Sequence, residues 1–178
     1  MALLSRQFST PLGEMLAVAS PQGLCLLEFV DQGGVARELA QVEAARGGPV
    51  QPGDSAVLAQ TAHELAEYFA GQRQCFGVPL DLVGTPFQLS AWQALLAIPY
   101  GQTRSYAEQA RAIARPSATR AVAAANGQNK VSIIVPCHRV IGSDGSLTGF
   151  GGGLPRKRAL LALEGAAAQR DWVVEGFE

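Results

Sequence analysis

Cys137 and His138 are the residue pair in this sequence best suited to covalent chemistry, and they lie in the run Pro-Cys-His-Arg at 136–139. An imidazole beside a thiol can take up the thiol proton and lower the thiol pKa from about 8.5, which makes a nucleophilic thiolate available at neutral pH. The histidine needs an orienting acceptor in turn, and a carboxylate is the usual one. Cysteine is also a common small core residue, so the pair alone leaves a purely structural role open.

The segments on either side of this pair must position it. The apolar run Val131–Val135 comes directly before Pro136 and predicts a buried strand that ends at the cysteine. The glycine-rich segment 149–153 follows, and such a segment can approach a flat ligand closely, although a flexible loop has the same composition. It lacks the Lys-Ser/Thr pair of a phosphate-binding loop.

Two short helices are predicted before the apolar run. Ser105 can cap a helix from Tyr106 to about Ala114, and a second helix runs from Ser117 to about Asn126 after a break at Arg115-Pro116. Two short helices joined by a tight break suggest a helix-turn-helix. The second helix consists mostly of small side chains. This composition fits either a close-packed internal helix or a helix whose backbone comes close to a partner.

The first part of the chain has a different pattern. Turn signals flank the apolar run Met15–Ala19, and a second run follows at Leu24–Val30, which predicts an antiparallel meander. Segment 46–54 has the composition of a surface loop, and residues 55–70 have helical spacing with Gly71 as the cap. Thr85-Pro86 is a helix start signal. We therefore expect two domains, 1–84 and 85–178.

Charge is unevenly distributed along the chain. The 178 residues carry 14 basic and 15 acidic side chains, and a net charge of −1 argues at first against a nucleic-acid partner. Residues 1–100 have a net charge of −5 and residues 161–178 a net charge of −3, whereas 101–160 have a net charge of +7. Such a local excess can attract phosphates, and from charge alone a solvated surface is equally compatible.

Several classes of protein are excluded by composition. The start of the chain has no secretory signal pattern, and the uncharged stretch 82–103 contains two prolines and two glycines, which disfavours a membrane span. The charged fraction of 16% excludes a disordered charged tail. Three cysteines are too few and odd in number for a disulfide scaffold, so we expect a cytoplasmic protein with reduced thiols.

The run NKVSIIVPCHRVI at 129–141 resembles the active-site signature of the O6-alkylguanine-DNA alkyltransferases, also called methylated-DNA–protein-cysteine methyltransferases. The similarity covers residues 85–165 tightly and the first domain loosely, through Thr10–Gly13. Further matching positions are Thr85–Gln88, Trp92, Ile98–Gly101, Ser105, Tyr106, Arg120–Val122, Gly151, Gly152 and Leu160–Gly165.

The resemblance implies a two-domain α+β fold. Its N-terminal α/β domain would have a small antiparallel sheet of the ribonuclease H-like type, and its C-terminal domain would be mainly helical, with a helix-turn-helix. The expected partner is double-stranded DNA that contains O6-alkylguanine, bound in the minor groove by a monomer. Arg120 would fill the gap left by the flipped base. The small or short side chains of the second helix, at Ser117, Ala118, Thr119, Ala121 and Ala123, would let it enter a groove only about 6 Å wide.

The resemblance also implies a mechanism. Cys137 would attack the O6-alkyl carbon as a thiolate, Glu164 would hold His138, and His138 would draw the thiol proton away through a water. Asn129 would brace the active-site turn, and Tyr106 would help rotate the nucleotide and assist the leaving guanine. The base would occupy a pocket of Val140, Ser143, Phe150, Gly151 and Gly152. The thioether product has no easy hydrolytic exit, so each molecule would act once, without a metal or cofactor. The expected substrate is O6-alkylguanine, and activity on O4-alkylthymine stays open.

Three positions depart from the family pattern. Lys130 replaces a usual proline, which could loosen the bracing turn or add a phosphate contact, Ala114 replaces a usual glycine, and Phe150 a common tyrosine. Cys25, Cys75 and His63 lack the spacing of a zinc site, so both cysteines are expected in the core.

Two alternatives remain open. One is an alkyltransferase-like protein that binds damage without repairing it, although such proteins replace the nucleophile that is present here. The other is a Cys-His hydrolase, for which the sequence offers no clear oxyanion-hole motif.

Overall fold

The computed structural model describes residues 2–166, and the chain divides into two compact units. The first unit comprises the residues up to Val83 together with Lys130–Ser132, and the second comprises Gly84–Asn129 and the residues from Ile133 onward. The expected division at residue 84 places residues 130–132 in the second domain, whereas the structure groups them with the first unit. The last part of the predicted second domain, 167–178, lies outside the described residues.

The first unit is built on a four-stranded sheet. Its strands are β1 (Leu3–Thr10), β2 (Gly13–Ala19), β3 (Leu24–Phe29) and β4 (Val50–Pro52), in the order β3-β2-β1-β4. The first three strands form the antiparallel meander that the turn signals predict, and every residue of β3 is buried.

The first unit differs from the expectations in two places, one wrong prediction and one helix that the sequence analysis did not identify. Segment 46–54 is not wholly a loop, because Val50–Pro52 pair in parallel with Leu3–Ser5 at the edge of the sheet, where a proline is tolerated. Helix α1 (Val35–Arg46) was not predicted, since only Glu38 and Val42 on it are buried and the apolar period is weak. Glycines in the left-handed region bound it, with φ of 89° at Gly34 and 78° at Gly47.

Helix α2 (Ala56–Phe69) confirms the helix predicted for 55–70. The Ser55 side chain accepts a hydrogen bond from the Leu58 backbone N–H and caps the first turn. The prediction for the cysteines is half correct: Cys25 is buried within β3, whereas Cys75 is exposed in the irregular segment after α2. Cys75 therefore does not belong to the core.

The second unit is mainly helical, as expected. It contains α3 (Pro86–Leu96), β5 (Arg104–Ser105), α4 (Tyr106–Ala112), α5 (Thr119–Gly127), β6 (Val140–Ile141) and α6 (Leu154–Leu163), with β5 and β6 paired in parallel. Thr85 and Ser105 begin α3 and α4 with complete capping boxes, which explains why both starts were readable from sequence. Among residues 2–166, no helix is long and apolar enough to cross a membrane.

The helix-turn-helix is shorter than predicted on both sides of its turn. Helix α4 ends at Ala112 because Ala114 adopts φ of 60° in the left-handed region, which terminates a right-handed helix. Helix α5 begins at Thr119 rather than Ser117 and has no side-chain cap.

The strand predicted for Val131–Val135 is not formed. Val131 makes a single bridge to Leu27 within the first unit, and the chain then turns, with Ile133 at φ of 73°. The apolar side chains of this run are buried, as expected. A short apolar run identifies burial but does not distinguish a buried strand from a buried turn.

Candidate active site

Cys137 opens a single 3-10 turn, Cys137–Arg139, and its side chain is partly exposed, whereas His138 and Arg139 are buried. His138 Nε2 lies 2.8 Å from Glu164 Oε2, and both side chains are fully buried. Glu164 is the residue that ends α6, so the last turn of that helix delivers the carboxylate. The predicted trio of cysteine, histidine and glutamate is thus brought together.

Arg139 is a third member of this buried network that sequence reasoning missed. Its Nε and Nη2 donate to the two carboxylate oxygens of Glu164 at 2.8 and 3.0 Å, and its Nη1 donates to the Ile98 carbonyl at 2.7 Å. A planar guanidinium that grips both oxygens fixes the carboxylate plane. The carboxylate position therefore depends on Arg139 as well as on α6.

The electrostatics of this network fix the protonation states. Burial alone would raise the pKa of Glu164, but the hydrogen bonds and charges of His138 and Arg139 outweigh it and lower the pKa to about 2. Burial lowers the pKa of His138, which opposes the effect of Glu164. A neutral imidazole next to an ionised carboxylate carries its proton on Nε2. Nδ1 then presents a lone pair, and this buried atom has no hydrogen-bond partner among the described residues.

Asn129 lies where a bracing residue is needed. Its Nδ2 donates to the Val135 carbonyl at 2.9 Å and to Cys137 Sγ at 3.3 Å. The first bond closes the turn that leads to the cysteine, and the second directs an N–H group at the sulfur. An N–H donor stabilises a thiolate more than a thiol because the sulfur then carries the charge.

A cavity of about 250 Å³ opens beside Cys137. Tyr106 and Phe150 contribute aromatic side chains to its wall, and the remaining lining residues are Ala123, Asn126, Gly127, Thr148, Gly149 and Gly151. The Tyr106 hydroxyl accepts a hydrogen bond from Thr148 Oγ1 at 3.0 Å. Burial raises the pKa of Tyr106, so its hydroxyl keeps its proton at neutral pH and remains a donor.

Of the predicted pocket residues, Phe150 and Gly151 line this cavity, whereas Val140, Ser143 and Gly152 are not among its lining residues. Val140 is instead fully buried in β6, where its carbonyl serves as an acceptor. Tyr106 and Ala123, to which other roles were given, do line the cavity. The sequence could not show this, because α4, α5 and the 148–151 segment meet only in the folded unit.

Lys157 of α6 is a buried cation that sequence reasoning counted as surface charge. Its Nζ donates to the carbonyls of Val140 at 2.7 Å, Thr148 at 2.6 Å and Gly149 at 3.3 Å. Burial lowers its pKa to about 8, and the charge of Cys137 acts in the opposite direction. Lys157 thus ties the cavity segment 148–149 to β6, close enough to Cys137 for an electrostatic interaction.

The predicted DNA-facing residues lie along α5 and the turn before it. Ser117, Arg120, Ala121 and Ala123 are exposed, and Ala118 and Thr119 are half-buried. The opposite side of α5 is fixed from within the unit. There Trp92 Nε1 donates to the Ala125 carbonyl at 2.8 Å, and the side chains of Gln109 and Asn126 exchange two hydrogen bonds of 2.9 and 2.7 Å. The exposed side therefore presents small residues and one arginine on a rigid support.

The positive segment 101–160 is less positive on its surface than its composition suggests. Lys130, Arg139 and Lys157 are buried. Of its other cations, Arg111, Arg115 and Arg120 are exposed, and Arg104, Arg156 and Arg158 are half-buried. Of the two effects considered for Lys130, the phosphate contact does not fit the structure, because the side chain is buried and its Nζ donates to the Val83 carbonyl at 2.9 Å. Within the described part of the chain, no group of three or more His, Cys, Asp or Glu side chains could hold a metal ion.

Comparison with known proteins gives the same family for residues 3–82 and 86–166. Residues 3–82 match the model of the 6-O-methylguanine DNA methyltransferase ribonuclease-like domain, and residues 86–166 match that of the DNA-binding domain of the same family. These matches confirm the fold class expected from the resemblance.

Individual relatives and a solved structure point to the same family as the family models. The methylated-DNA–protein-cysteine methyltransferase of Mycobacterium leprae is 45% identical over 159 residues, covering 89% of this chain and 90% of its own. That of Mycobacterium bovis is 56% identical over 118 residues, covering 66% and 72%. A crystal structure of Mycobacterium tuberculosis OGT in complex with DNA superposes with a TM-score of 0.79 at 44% identity, covering 92% of this chain and 93% of that one. The chain belongs to the 6-O-methylguanine DNA methyltransferase family.

Proposed function

We propose that this protein repairs O6-alkylguanine in duplex DNA by transferring the alkyl group irreversibly to Cys137. The observation that carries the proposal is the arrangement around this thiol. Cys137 borders a base-sized cavity, accepts an N–H from Asn129, and is followed by a neutral His138 held by ionised Glu164. Membership of the family and the DNA complex of the Mycobacterium tuberculosis relative support the same activity.

The proton leaves the thiol first. Nδ1 of His138 has a free lone pair, and a bridging water can carry the Cys137 proton to it, since His138 is neutral beforehand. Glu164 stabilises the imidazolium that results, and Asn129 and the Lys157 ammonium stabilise the thiolate. No metal or cofactor is needed for this step.

Alkyl transfer follows as an in-line displacement. The thiolate sulfur forms a bond to the alkyl carbon, the bond between that carbon and guanine O6 breaks, and its electron pair remains on the guanine. The protonated Tyr106 hydroxyl in the cavity wall supplies the hydrogen bond or proton that the guanine oxyanion system requires. The product is S-alkylcysteine, a thioether that water does not cleave, so each protein molecule reacts once.

DNA binding uses the exposed side of α5. A helix lined by Ala121, Ala123 and Gly127 brings its backbone close to the floor of the narrow minor groove. Arg120 occupies the place of the flipped nucleotide, and the O6-alkyl group weakens the base pair, which lowers the cost of flipping. Ala123 and Gly127 also border the cavity, so the extruded base passes directly from helix to pocket.

We also propose a cytoplasmic location. Cys25, Cys75 and Cys137 are all free thiols, and the reaction requires Cys137 to stay reduced. Reducing compartments preserve such thiols, whereas oxidising ones favour disulfides.

The test is to mix the protein with a duplex that contains one O6-methylguanine and to determine the mass of each cysteine peptide. We expect one methyl group on the Cys137 peptide and none on that of Cys75, the exposed thiol that serves as an internal control. An unchanged Cys137 peptide with tight lesion binding would assign the protein to the damage-binding class instead. Repeated turnover of a simple ester would assign it to the hydrolases.

A further inference from the structure

The first unit contains a buried cluster of polar and charged side chains that the proposed reaction does not use. Glu28 of β3, Glu38 of α1, Lys130 and Ser132 have exposed fractions of only 1 to 5%. Buried charges are costly unless they are paired or neutralised, so such a cluster requires a physical reason.

Four hydrogen bonds anchor residues 130–132 within this unit. The Leu27 backbone N–H donates to the Lys130 carbonyl at 2.8 Å, and the Ser132 N–H donates to the Leu27 carbonyl at 2.9 Å. Two side-chain bonds add to them: Ser132 Oγ donates to Glu28 Oε1 at 2.5 Å, and Lys130 Nζ donates to the Val83 carbonyl at 2.9 Å. Lys130 and Ser132, on either side of Val131, are therefore each held through both backbone and side chain.

The two carboxyl groups of the cluster, those of Glu28 and Glu38, affect each other's ionisation. Burial, followed by the neighbouring Glu38, raises the pKa of Glu28 to about 10, and burial also raises the pKa of Glu38. The cations that face the pair are Lys130 and, from α1, Arg37, which is exposed. A Glu28 carboxyl that keeps its proton at neutral pH removes one buried negative charge from the cluster, which lowers the cost of burying it.

The anchored segment is joined by peptide bonds to both parts of the active-site turn. Asn129 directly precedes it, and residues 133–137 directly follow it. Asn129 in turn contacts the Val135 carbonyl and Cys137 Sγ. We propose that Glu28, through its hydrogen bond to Ser132, is a positioning residue that holds Asn129 in register with Cys137 for alkyl transfer. The inference relies on the proposed function for the reaction that this positioning serves.

The experiment compares S132A, E28A and E28Q with the wild-type full-length protein. Two assays are used. The first gives the single-turnover rate of methyl transfer at saturating lesion duplex, together with the Kd for that duplex. The second gives the pH dependence of Cys137 alkylation by iodoacetamide, followed on the Cys137 peptide. S132A and E28A should transfer about tenfold more slowly, which is about 1.4 kcal/mol in activation free energy, with Kd unchanged. The midpoint of their alkylation profile should move to higher pH because the N–H of Asn129 is displaced from the sulfur. E28Q should behave as the wild type, because its amide oxygen can still accept the hydrogen bond from Ser132.

S20A is the matched control. Ser20 is a buried serine of the same unit that donates to Asp81 Oδ2 at 2.5 Å, the same length as the Ser132 bond, but it is not joined to the active-site turn. S20A should leave both the transfer rate and the alkylation profile unchanged.

The proposal is overturned if S132A and E28A match the wild type in both measurements. It is also overturned if S20A slows transfer as much as S132A, since the effect would then be general destabilisation, or if E28Q is as slow as E28A. If wild-type protein transfers no methyl group, the proposed function fails, while the alkylation profile still decides whether Glu28 and Ser132 position the thiol.

Discussion

Replacing Glu164 with glutamine tests the buried network behind Cys137. The wild-type carboxylate accepts three hydrogen bonds, one from His138 and two from Arg139. Glutamine keeps one oxygen, and its amide nitrogen would face a donor, so at least one bond is lost and the buried guanidinium loses its counter-ion. A pKa lowered from 4.5 to about 2 corresponds to roughly 3 kcal/mol of stabilisation. Breaking a buried ion pair typically costs about 3–5 kcal/mol, in the same range.

The assay is urea unfolding of the wild type and E164Q as a function of pH. Because the folded pKa of Glu164 lies below the unfolded value, its contribution is complete above about pH 4.5 and is lost as the pH falls towards 2. We therefore expect E164Q to be about 3 kcal/mol less stable at pH 7, with the difference narrowing below pH 4.5. The control is E67Q, which removes a half-buried carboxylate paired with Arg73 near the surface and should change stability far less. Equal stability at pH 7, or a difference independent of pH, would refute this account of the network.

Three further substitutions test other parts of the site. K157M removes the donor to the Val140, Thr148 and Gly149 carbonyls, so methyl transfer should slow. Its stability should also depend on pH differently from that of the wild type. Between about pH 8 and 10.5 the wild type should gain stability relative to K157M, because the folded lysine has lost its proton there while the unfolded lysine still holds it. Identical urea midpoints across that range would argue against a buried ammonium. R120A should slow repair more than R111A, which removes an exposed arginine of α4. Both variants lose one positive charge, but only Arg120 fills the gap in the duplex. Equal repair rates and equal salt dependence of the two variants would show that Arg120 is only a phosphate contact. A114G should raise the free energy of unfolding by about 1 kcal/mol, since φ of 60° favours glycine, and lower thermal stability would show that the strain is absent.

Much of this site can be predicted from sequence, because the residues that form each of its sequence signals lie within a few positions of one another. Ser105 and Thr85 mark their helix starts by capping boxes, and Cys137 and His138 are adjacent in the chain. The roles predicted for Asn129 and Glu164 came from resemblance, since nothing in their spacing shows that a residue 26 positions after His138 hydrogen-bonds to it. In the structure Asn129 Nδ2 lies 3.3 Å from Cys137 Sγ and Glu164 Oε2 lies 2.8 Å from His138 Nε2, and the roles of both residues in the reaction stay predictions.

The missed features depend on burial, which residue type predicts poorly for charged side chains. Arg139 and Lys157 were counted with the surface cations, yet each is buried because carbonyls or a carboxylate satisfy its donors. Lys130 is likewise buried, and its Nζ donates to the Val83 carbonyl. The turn at Ile133 has no sequence signal, because four apolar residues and one serine satisfy the pattern of a buried strand whatever their backbone conformation, and the sequence does not show the positive φ of Ile133.

Cys137 is proposed to be the sole and final acceptor of the alkyl group. The most direct test of this proposal is the time course of labelled methyl transfer from an O6-methylguanine duplex in increasing molar excess. We expect label on the protein to level off at one methyl per molecule, all of it on the Cys137 peptide, with C137S binding the duplex but acquiring no label. Continued turnover beyond one equivalent, or transfer by C137S, would contradict the account.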